Sequence, residues 1–247
     1  MIKNWHTEKI AVNDTNINFN QIVPVNELMR FVQLTTFEHS KEMELDYQTM
    51  LSKSNAFWVI TKMKLVLNGE IKSGDKIKIT TWTHDIGTVR ALRDCIIKLK
   101  NSVKVKATAE WCCLDYETRK IRKLNSINYP QLAMEKTKNL NTKFSNIKED
   151  VDSKDLVYKK TIHSTDVDLN NHTNNMKYNN IVLDAFTTEE LSQIVLKEYE
   201  IYFVNESYEG DVIDVYKKKI KNIYYVEGKI QEKTIFRAVL KYKKKER

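Results

Sequence analysis

The chain has 247 residues, of which 41 % are apolar, which is enough for one large or two small domains with a buried core. No stretch reaches the roughly 20 apolar residues of a membrane-spanning helix, and the N-terminal sequence MIKNWHTEKIAV lacks the apolar region of a signal peptide, so we expect a cytoplasmic protein without a membrane span. The formal charge of +8 comes without a nucleic-acid-binding motif, so nucleic acid is not expected as a partner, and the charge indicates either a lysine-rich surface or an acidic protein partner.

The first half of the chain predicts one helix followed by four strands. Pro24 suits the first turn of a helix over PVNELMRFVQLTTFEH. One face of this helix carries Leu28, Phe31, Val32 and Thr35. The strands are predicted in AFWVITKMKLVL, DKIKITTWT, VRALRDCIIKL and KVKATAEWCCLDY. In the last of these, Cys113 falls in the alternation of inward positions, so we predict a core residue and not a nucleophile.

A polar segment separates this half from the rest of the chain. Residues 131–154 are rich in Lys, Asn, Ser and Asp and show little periodicity. This composition is typical of a linker. We therefore predict an N-terminal domain over residues 1–130 and a C-terminal domain over residues 155–247.

The second half repeats the order of elements. Apolar residues at helical spacing run from Tyr178 to Phe186, and Thr187 and Thr188 with Glu190 predict a capped short turn. Four strands are then predicted in KEYEIYFV, DVIDVYKKKI, NIYYVEGKI and TIFRAVLKY.

The two halves also resemble each other in sequence. KLVLNGEIKSGDKIKI (residues 64–79) aligns without a gap with EIYFVNESYEGDVIDV (residues 200–215), so that Glu70 matches Glu206 and the Gly-Asp pairs coincide. This match indicates one unit built twice, each a helix followed by antiparallel strands. An antiparallel sheet wrapped around a central helix is the hotdog arrangement, so we predict an α+β protein of two tandem hotdog domains.

The segment DVDLNNHTNNMKY (residues 166–178) concentrates carboxylates, amides and one imidazole just before the second predicted helix. The first turn of a helix presents unpaired N–H groups and the positive end of its dipole, which suits an oxyanion. Asn174 or Asn175 is expected to cap this helix, and Asn171 is expected in a turn.

Three residues of this segment are spaced two apart: Asp168, Asn170 and His172. In an extended segment their side chains would lie on one side, with Glu206 reaching them from the sheet. A single histidine in a loop of turn-forming residues would by itself indicate no function. The D-x-N-x-H spacing before a helix, together with a matching glutamate, favours a catalytic site.

Cofactor and metal sites are not indicated. Five glycines in the whole chain disfavour a glycine-rich dinucleotide loop. The three cysteines show no CxxC spacing, and the adjacent Cys112 and Cys113 would point to opposite faces of a strand. The other histidines do not supply the spacing of a zinc site: His6, His39, His84 and His163. We therefore expect no cofactor and no metal.

The segment STDVDLNNHTNNMKY resembles the SDxDxNxHxNNxxY motif of the acyl-acyl carrier protein (acyl-ACP) thioesterases, tandem-hotdog enzymes of bacteria and plants that end fatty-acid synthesis. Further similarities follow in the family's order and spacing over most of the chain: WVITKMKL, TTWT, LRDCII, AEWCCLDYETRKIRKL and YFVNESYEGD. The resemblance implies a thioester hydrolase that releases free fatty acid from fatty acyl-ACP, with the acidic carrier protein as its partner. A homodimer is one assembly the chain could form.

The resemblance also implies roles for individual residues. Asp168, Asn170 and His172 fall on the family's catalytic positions, and Glu206 falls on that of its catalytic acid. Glu206 is expected to be a general base or nucleophile, and His172 a proton shuttle. Asp168 would orient His172, and Asn170 would place water or the carbonyl group. Ser207 stands where plant members carry a cysteine, which argues against a cysteine nucleophile.

Other functions also fit parts of the pattern. An acyl-CoA thioesterase or a hotdog dehydratase shares the expected fold, and a non-catalytic acyl-binding module would need no such set of polar residues. The segment INFNQIVPVNELM before the first helix carries no histidine or aspartate, so Glu70 has no partner for catalysis. We therefore predict one active site per chain, in the second unit, with Phe31 and Val32 of the first unit shaping an acyl pocket.

Overall fold

The structure, a computed structural model, describes residues 3–127, 129–130, 144–147 and 151–245. The chain divides into two units, Met1–Thr142 and Lys143–Arg247. The predicted linker, 131–154, spans this division and lies mostly outside the described residues. The predicted domain boundaries therefore stay a prediction.

The first unit, where described, is one antiparallel sheet of five strands with two helices. Its elements are β1 (Trp5–Ala11), α1 (Val25–Glu42), α2 (Tyr47–Ser54), β2 (Ala56–Leu67), β3 (Lys76–Ile86), β4 (Arg90–Leu99) and β5 (Ser102–Asp115). The strands pair in the order β1–β3–β4–β5–β2, and α1 packs on β1 and β3.

The helix α1 forms where its apolar spacing predicts it. Pro24 precedes the first turn, and the fixed φ of proline, here −74°, suits this position. Leu28, Phe31, Val32 and Thr35 are all buried on the face turned to the sheet, as predicted.

The second unit has the same strand order within its described residues. Its elements are β6 (Leu156–Thr161), α3 (Asn175–Asp184), α4 (Thr188–Ser192), β7 (Ile194–Phe203), β8 (Val212–Ile220), β9 (Ile223–Ile230) and β10 (Lys233–Lys244). The strands pair antiparallel in the order β6–β8–β9–β10–β7. Thr187 and Glu190 form the predicted capping box at the start of α4.

Polar and aromatic contacts hold α3 against its sheet. The buried Tyr199 of β7 donates its hydroxyl hydrogen to Oδ1 of Asn179 at 2.8 Å. The ring of Tyr178 lies 5.5 Å from that of Phe236 on β10. A buried Tyr hydroxyl needs such a partner, because an unpaired polar group in the core is costly. A sheet packed on a helix is present in each unit, which confirms the predicted hotdog fold.

The internal repeat extends to backbone geometry. Gly74 and Gly210 both have positive φ, +85° and +87°, a conformation that glycine adopts without the steric penalty of a side chain. The amide of Gly74 donates to the carbonyl oxygen of Val12 at 2.9 Å, and the amide of Gly210 donates to that of Ile162 at 2.9 Å. The two turns are therefore the same structure formed twice.

The three cysteines are buried and are thiols rather than disulfide partners. Burial raises the pKa of Cys113 to about 11, so its thiol stays protonated near neutral pH. The prediction that Cys113 is a core residue is confirmed. No helix in the described part of the chain is long and apolar enough to cross a membrane.

Candidate active site

The loop before α3 is a closed turn. The amide of Asp168 donates to the carbonyl oxygen of His172 at 2.9 Å, and the carboxylate of Asp168 accepts from the amide of Asn170 at 2.9 Å. Asn171 has a φ of +61°, in the left-handed region that asparagine tolerates, as its expected place in a turn implies.

The closed turn corrects the extended segment predicted from sequence. There, Asp168, Asn170 and His172 would alternate to one side. Instead, the Asp168 carboxylate holds the backbone of its own loop, and the left-handed residue reverses the chain. Hydrogen bonds to the backbone therefore hold the three residues in one turn, and their side chains do not lie on one face of a strand.

The N-terminus of α3 is capped by an asparagine. The side chain of Asn174 accepts a hydrogen bond from the amide of Met176 at 2.9 Å, so the predicted cap is confirmed. The amide of Asn174 itself donates to the carbonyl oxygen of Asp166 at 2.8 Å. The turn that carries His172 is thus fixed to the helix at its end.

The second carboxylate of the motif, Asp166, serves the structure. It is buried, accepts from the amide of His163 at 3.1 Å and lies 2.8 Å from Nζ of Lys160. Burial alone would raise the pKa of Asp166, but the hydrogen bonds from Lys160 and the His163 amide hold it below its usual value. Asp166 therefore stays ionised and ties the loop to β6.

The structure brings His172 and Glu206 together. Nε2 of His172 lies 3.3 Å from Oε2 of Glu206. Glu206 sits in the loop between β7 and β8, so its predicted place on a strand is wrong. This loop position lets the carboxylate turn toward the imidazole. The side chain of His172 is 15 % exposed and that of Glu206 is 41 % exposed, so water reaches the carboxylate while the imidazole is largely enclosed.

Tyr208 is a member of this site that the sequence did not single out. Its hydroxyl lies 3.4 Å from Oε2 of Glu206, within range of a weak hydrogen bond. Its ring meets the imidazole of His172 edge to face, with centroids 5.1 Å apart. The signal available in sequence was its spacing, two residues after Glu206, which places both side chains on one side of an extended loop.

A buried hydroxyl network joins the two loops. Oγ of Ser207 lies 2.7 Å from Oγ1 of Thr173 and 2.8 Å from the hydroxyl of Tyr178. The amide of Thr173 donates to the carbonyl oxygen of Ser207 at 2.8 Å. Thr173 follows His172 and Ser207 follows Glu206, so this network fixes the positions of His172 and Glu206 relative to each other. The hydroxyl partners of Ser207 are not general bases, which gives this serine a structural role.

Among the described residues, no group of three or more His, Cys, Asp and Glu side chains is arranged to hold a metal ion. The chemistry open to this site is acid–base chemistry by one imidazole and one carboxylate, close to the first turn of a helix.

Each of the two units matches a domain of the same protein family. The acyl-ACP thioesterase N-terminal domain matches residues 3–127, and the acyl-ACP thioesterase C-terminal domain matches residues 147–245. The chain belongs to the acyl-ACP thioesterase family. The resemblance seen in the sequence motif is thereby confirmed.

Individual acyl-ACP thioesterases are similar over most of the chain. The acyl-[acyl-carrier-protein] hydrolase FATB1 of Cuphea viscosissima is 25 % identical over 199 residues, which cover 73 % of this chain and 46 % of that protein. Oleoyl-acyl carrier protein thioesterase 1 of Arabidopsis thaliana is 23 % identical over 226 residues, which cover 85 % and 62 %. Both are chloroplastic proteins, and the chain spans about half to three fifths of their lengths.

A crystal structure of an acyl-ACP thioesterase from Bacteroides thetaiotaomicron has the same fold. Its TM-score to this chain is 0.88 at 21 % sequence identity, covering 97 % of this chain and 98 % of that one. The fold of the acyl-ACP thioesterases therefore extends over nearly the whole chain.

Proposed function

We propose that this chain hydrolyses the thioester of fatty acyl-ACP and releases free fatty acid. The observation that carries the proposal is the 3.3 Å approach of His172 Nε2 to Glu206 Oε2, in the unit that matches the family's C-terminal domain. Relatives named acyl-ACP hydrolase and oleoyl-ACP thioesterase support the same reaction.

Thioester hydrolysis requires attack on the carbonyl carbon, a donor for the developing oxyanion and a proton for the departing thiolate. Glu206 is open to water and acts either as the general base for a water molecule or as the nucleophile itself. His172 delivers the proton to the leaving sulfur. In the first turn of α3 the amides of Met176 and Lys177 already donate to Asn174, so the amide of Asn175 is the proposed oxyanion donor of this turn.

We assign supporting roles to Asp168 and Asn170. The Asp168 carboxylate holds the turn closed through the Asn170 amide, so it positions His172 through the backbone. The side chain of Asn170 is half-buried in the same turn and is proposed to place water or the substrate carbonyl. Together these four residues form the proposed catalytic set: Asp168, Asn170, His172 and Glu206.

The first unit is proposed to hold the acyl chain. It contains a cavity of about 190 Å³ with aromatic walls. From α1, the residues that border it are Gln33, Thr36, Phe37 and Ser40. Phe31 and Val32, expected from sequence to shape the pocket, are buried but do not border this cavity, so Phe37 is the more direct determinant.

The proposed protein partner is an acidic acyl carrier protein. The net charge of +8 favours its approach electrostatically, because opposite surface charge speeds association. This partner would place the chain in the compartment that makes the carrier protein, and a cytoplasmic location and a homodimer stay predictions from sequence.

A hydrolysis assay tests the proposal. Acyl-ACPs of short to long chain length, the matching acyl-CoAs and a 3-hydroxyacyl-ACP are each incubated with the chain, and free thiol and fatty acid are measured. We expect thiol and fatty acid in equal amounts, with acyl-ACP preferred. Preference for acyl-CoA, or formation of an unsaturated acyl-ACP from the 3-hydroxy substrate, would replace the proposal with a different hotdog activity. Binding without turnover would make the chain an acyl-binding module.

A further inference from the structure

A buried arginine borders the cavity of the first unit. Arg93 on β4 is 8 % exposed and lines the cavity. Burial lowers its pKa, and the groups that act against this shift are the phenol of Tyr129 and the thiol of Cys95, neither of which is a carboxylate. A buried guanidinium is normally paired with a carboxylate, because an uncompensated buried charge is expensive.

The hydrogen-bond partner of Arg93 does not supply negative charge. Nη1 of Arg93 donates to Nδ1 of His39 at 2.7 Å. The other ring nitrogen of His39 lies 3.1 Å from the carbonyl oxygen of Lys3, so it carries the hydrogen and donates. Burial, together with the charge of Arg93, lowers the pKa of His39 to about 4. His39 is therefore a neutral acceptor, and the positive charge of Arg93 remains.

One carboxylate borders the same cavity, and it is engaged elsewhere. Asp46 caps α2, where its oxygens accept from the amide of Thr49 at 3.2 Å and from the Thr49 hydroxyl at 2.6 Å. The other lining residues are five aromatic, two aliphatic and four polar ones: Phe37, Tyr47, Trp58, Trp111, Tyr129; Leu45, Ala91; and Gln33, Thr36, Ser40, Thr83. The indole N–H of Trp111 is buried and has no acceptor within the described part of the chain.

We propose that this cavity binds a carboxylate carried on an apolar chain, with the carboxylate on Arg93. The five N–H donors of a guanidinium match a carboxylate in a planar, two-pronged geometry, and one of them is taken by His39. An acyl chain that ends short of Arg93 leaves the guanidinium hydrated, whereas an alkyl group packed against it would displace water without replacing the lost hydrogen bonds, which is costly. The N–H groups of Arg93 and Trp111 that have no acceptor among the described residues favour a ligand with a hydrogen-bond acceptor. The aromatic side chains of the cavity favour a ligand whose remainder is apolar.

Two sources would bring this chemistry to the site. One is a free fatty acid, the product of the proposed reaction, and the other is an acyl substrate with a carboxyl group at its far end. This part of the inference rests on the proposed function, whereas carboxylate binding itself is measured without turnover.

The first experiment is calorimetric titration of the full chain, carrying His172→Ala to prevent turnover, with decanoate and with decanol. We expect one decanoate per chain, bound about ten- to a hundredfold more tightly than decanol, as for a hydrogen bond to a charged group. Arg93→Gln should remove that preference. Arg90→Gln is the matched control: Arg90 is on the same strand, is exposed and pairs with Glu110 outside the cavity. This control should bind like the parent.

Two further variants keep the test decisive if Arg93→Gln does not fold. Arg93→Lys keeps the charge and loses the two-pronged geometry, and Trp111→Phe keeps the ring and loses the donor, so both should weaken decanoate several-fold and leave decanol unchanged. Equal affinity for decanoate and decanol in the parent chain would overturn the proposal. So would an undiminished preference in these variants.

The second experiment separates the two sources in the active chain. If added decanoate inhibits hydrolysis by the parent chain but not by Arg93→Lys, the ligand of this cavity is the free fatty acid. If the parent chain hydrolyses an acyl-ACP with a terminal carboxyl group faster than the plain acyl-ACP, and Arg93→Lys does not, the ligand is the carboxyl-bearing substrate. If neither the inhibition by decanoate nor the faster hydrolysis of the carboxyl-bearing substrate depends on Arg93, the proposal is overturned even if hydrolysis occurs. Carboxylate binding without hydrolysis would overturn only the proposed function.

Discussion

Ile22 occupies in the first unit the position that His172 occupies in the second. The amide of Asn18 donates to the carbonyl oxygen of Ile22 at 2.9 Å, as the amide of Asp168 donates to that of His172 at 2.9 Å. The residue before each is in the left-handed region, with φ of +58° and +61°. The turn has therefore been formed twice, and an imidazole stands in one copy where an alkyl side chain stands in the other.

The paired glutamates show the same asymmetry. Glu206 has His172 at 3.3 Å and the Tyr208 hydroxyl at 3.4 Å, whereas Glu70 has the ammonium group of Lys72 at 3.8 Å. A carboxylate without an imidazole lacks a group to carry the proton to the leaving thiolate. The duplicated scaffold thus supports chemistry in the second unit.

We expect His172→Ala and Glu206→Ala each to lower turnover of acyl-ACP at least about a hundredfold, the usual cost of losing an acid–base group. Glu70→Ala, the matched control in the corresponding loop of the first unit, should keep turnover close to wild type. Initial rates at saturating substrate, with circular dichroism to check folding, measure both effects. Wild-type rates in either of the first two variants would remove the site assignment, and loss of turnover in Glu70→Ala would place chemistry in the first unit.

Ser207→Ala should keep turnover near wild type and lose stability. The change leaves the buried hydroxyls of Thr173 and Tyr178 without their shared partner, which costs about 1–3 kcal/mol of unfolding free energy. Denaturant unfolding measures the stability, and kcat is taken at a temperature where the variant is folded. Ser192→Ala, which removes an exposed hydroxyl hydrogen bond on α4, is the control. A folded Ser207→Ala as inactive as Glu206→Ala would make the serine part of the chemistry.

Much of the helix and strand pattern could be predicted because apolar residues recur at clear spacing. β2 runs from Ala56 to Leu67 as predicted. β1 and β6 were not predicted, since their residues are at most partly buried, and their sequences WHTEKIA and LVYKKT carry little apolar periodicity. The helix α2 was also missed, because it is eight residues long and buries only Met50 among them.

The candidate site could be predicted in part. The motif predicted His172 and the internal repeat predicted Glu206. Both patterns are visible in the sequence whatever conformation the loops adopt. Asn171 was expected in a turn, but the hydrogen bonds that close this turn around Asp168 could not be derived, because they depend on the backbone conformation of the whole loop. The contacts of Ser207 and Tyr208 depend on how two loops meet, which no local pattern encodes.

Tyr208→Phe tests whether the hydroxyl positions Glu206. The substitution keeps the ring against His172 and removes the hydrogen bond, so we expect kcat to fall about two- to tenfold with KM little changed. Tyr208→Ala also removes the ring contact and should lower kcat further. The pH profile of kcat is the second measurement, because a tyrosine that only supports the fold would leave it unchanged. Identical profiles and rates in all three proteins would exclude a positioning role.

The stability of the chain should depend on pH through His39. Burial, with the charge of Arg93, lowers its pKa from 6.5 to about 4, while Glu42 and His6 also lie near it. Between these values the unfolded chain binds a proton that the folded chain does not, so the unfolding free energy is complete above pH 6.5 and falls as the pH drops toward 4.

We expect His39 to account for about 2 kcal/mol of that loss. His39→Gln supplies an acceptor for Arg93 and a donor for the Lys3 carbonyl without titrating, so its unfolding free energy should fall less over the same range. His163→Gln, at an exposed position, is the control. Denaturant unfolding at a series of pH values measures the difference, and parallel curves for wild type and His39→Gln would contradict the assignment.

The acyl chain-length profile should respond to Phe37. This side chain borders the cavity from α1, whereas Leu34 on the same helix is similarly exposed and does not line it. Phe37→Ala enlarges the cavity by the volume of a ring, so we expect the preferred acyl-ACP to lengthen, because apolar contact area with the added carbons favours longer chains. Leu34→Ala should leave the profile unchanged. Relative kcat/KM across acyl-ACPs of increasing length measures the shift. An unchanged profile in Phe37→Ala, with a shift in Leu34→Ala, would mean that the acyl chain lies elsewhere on the first unit.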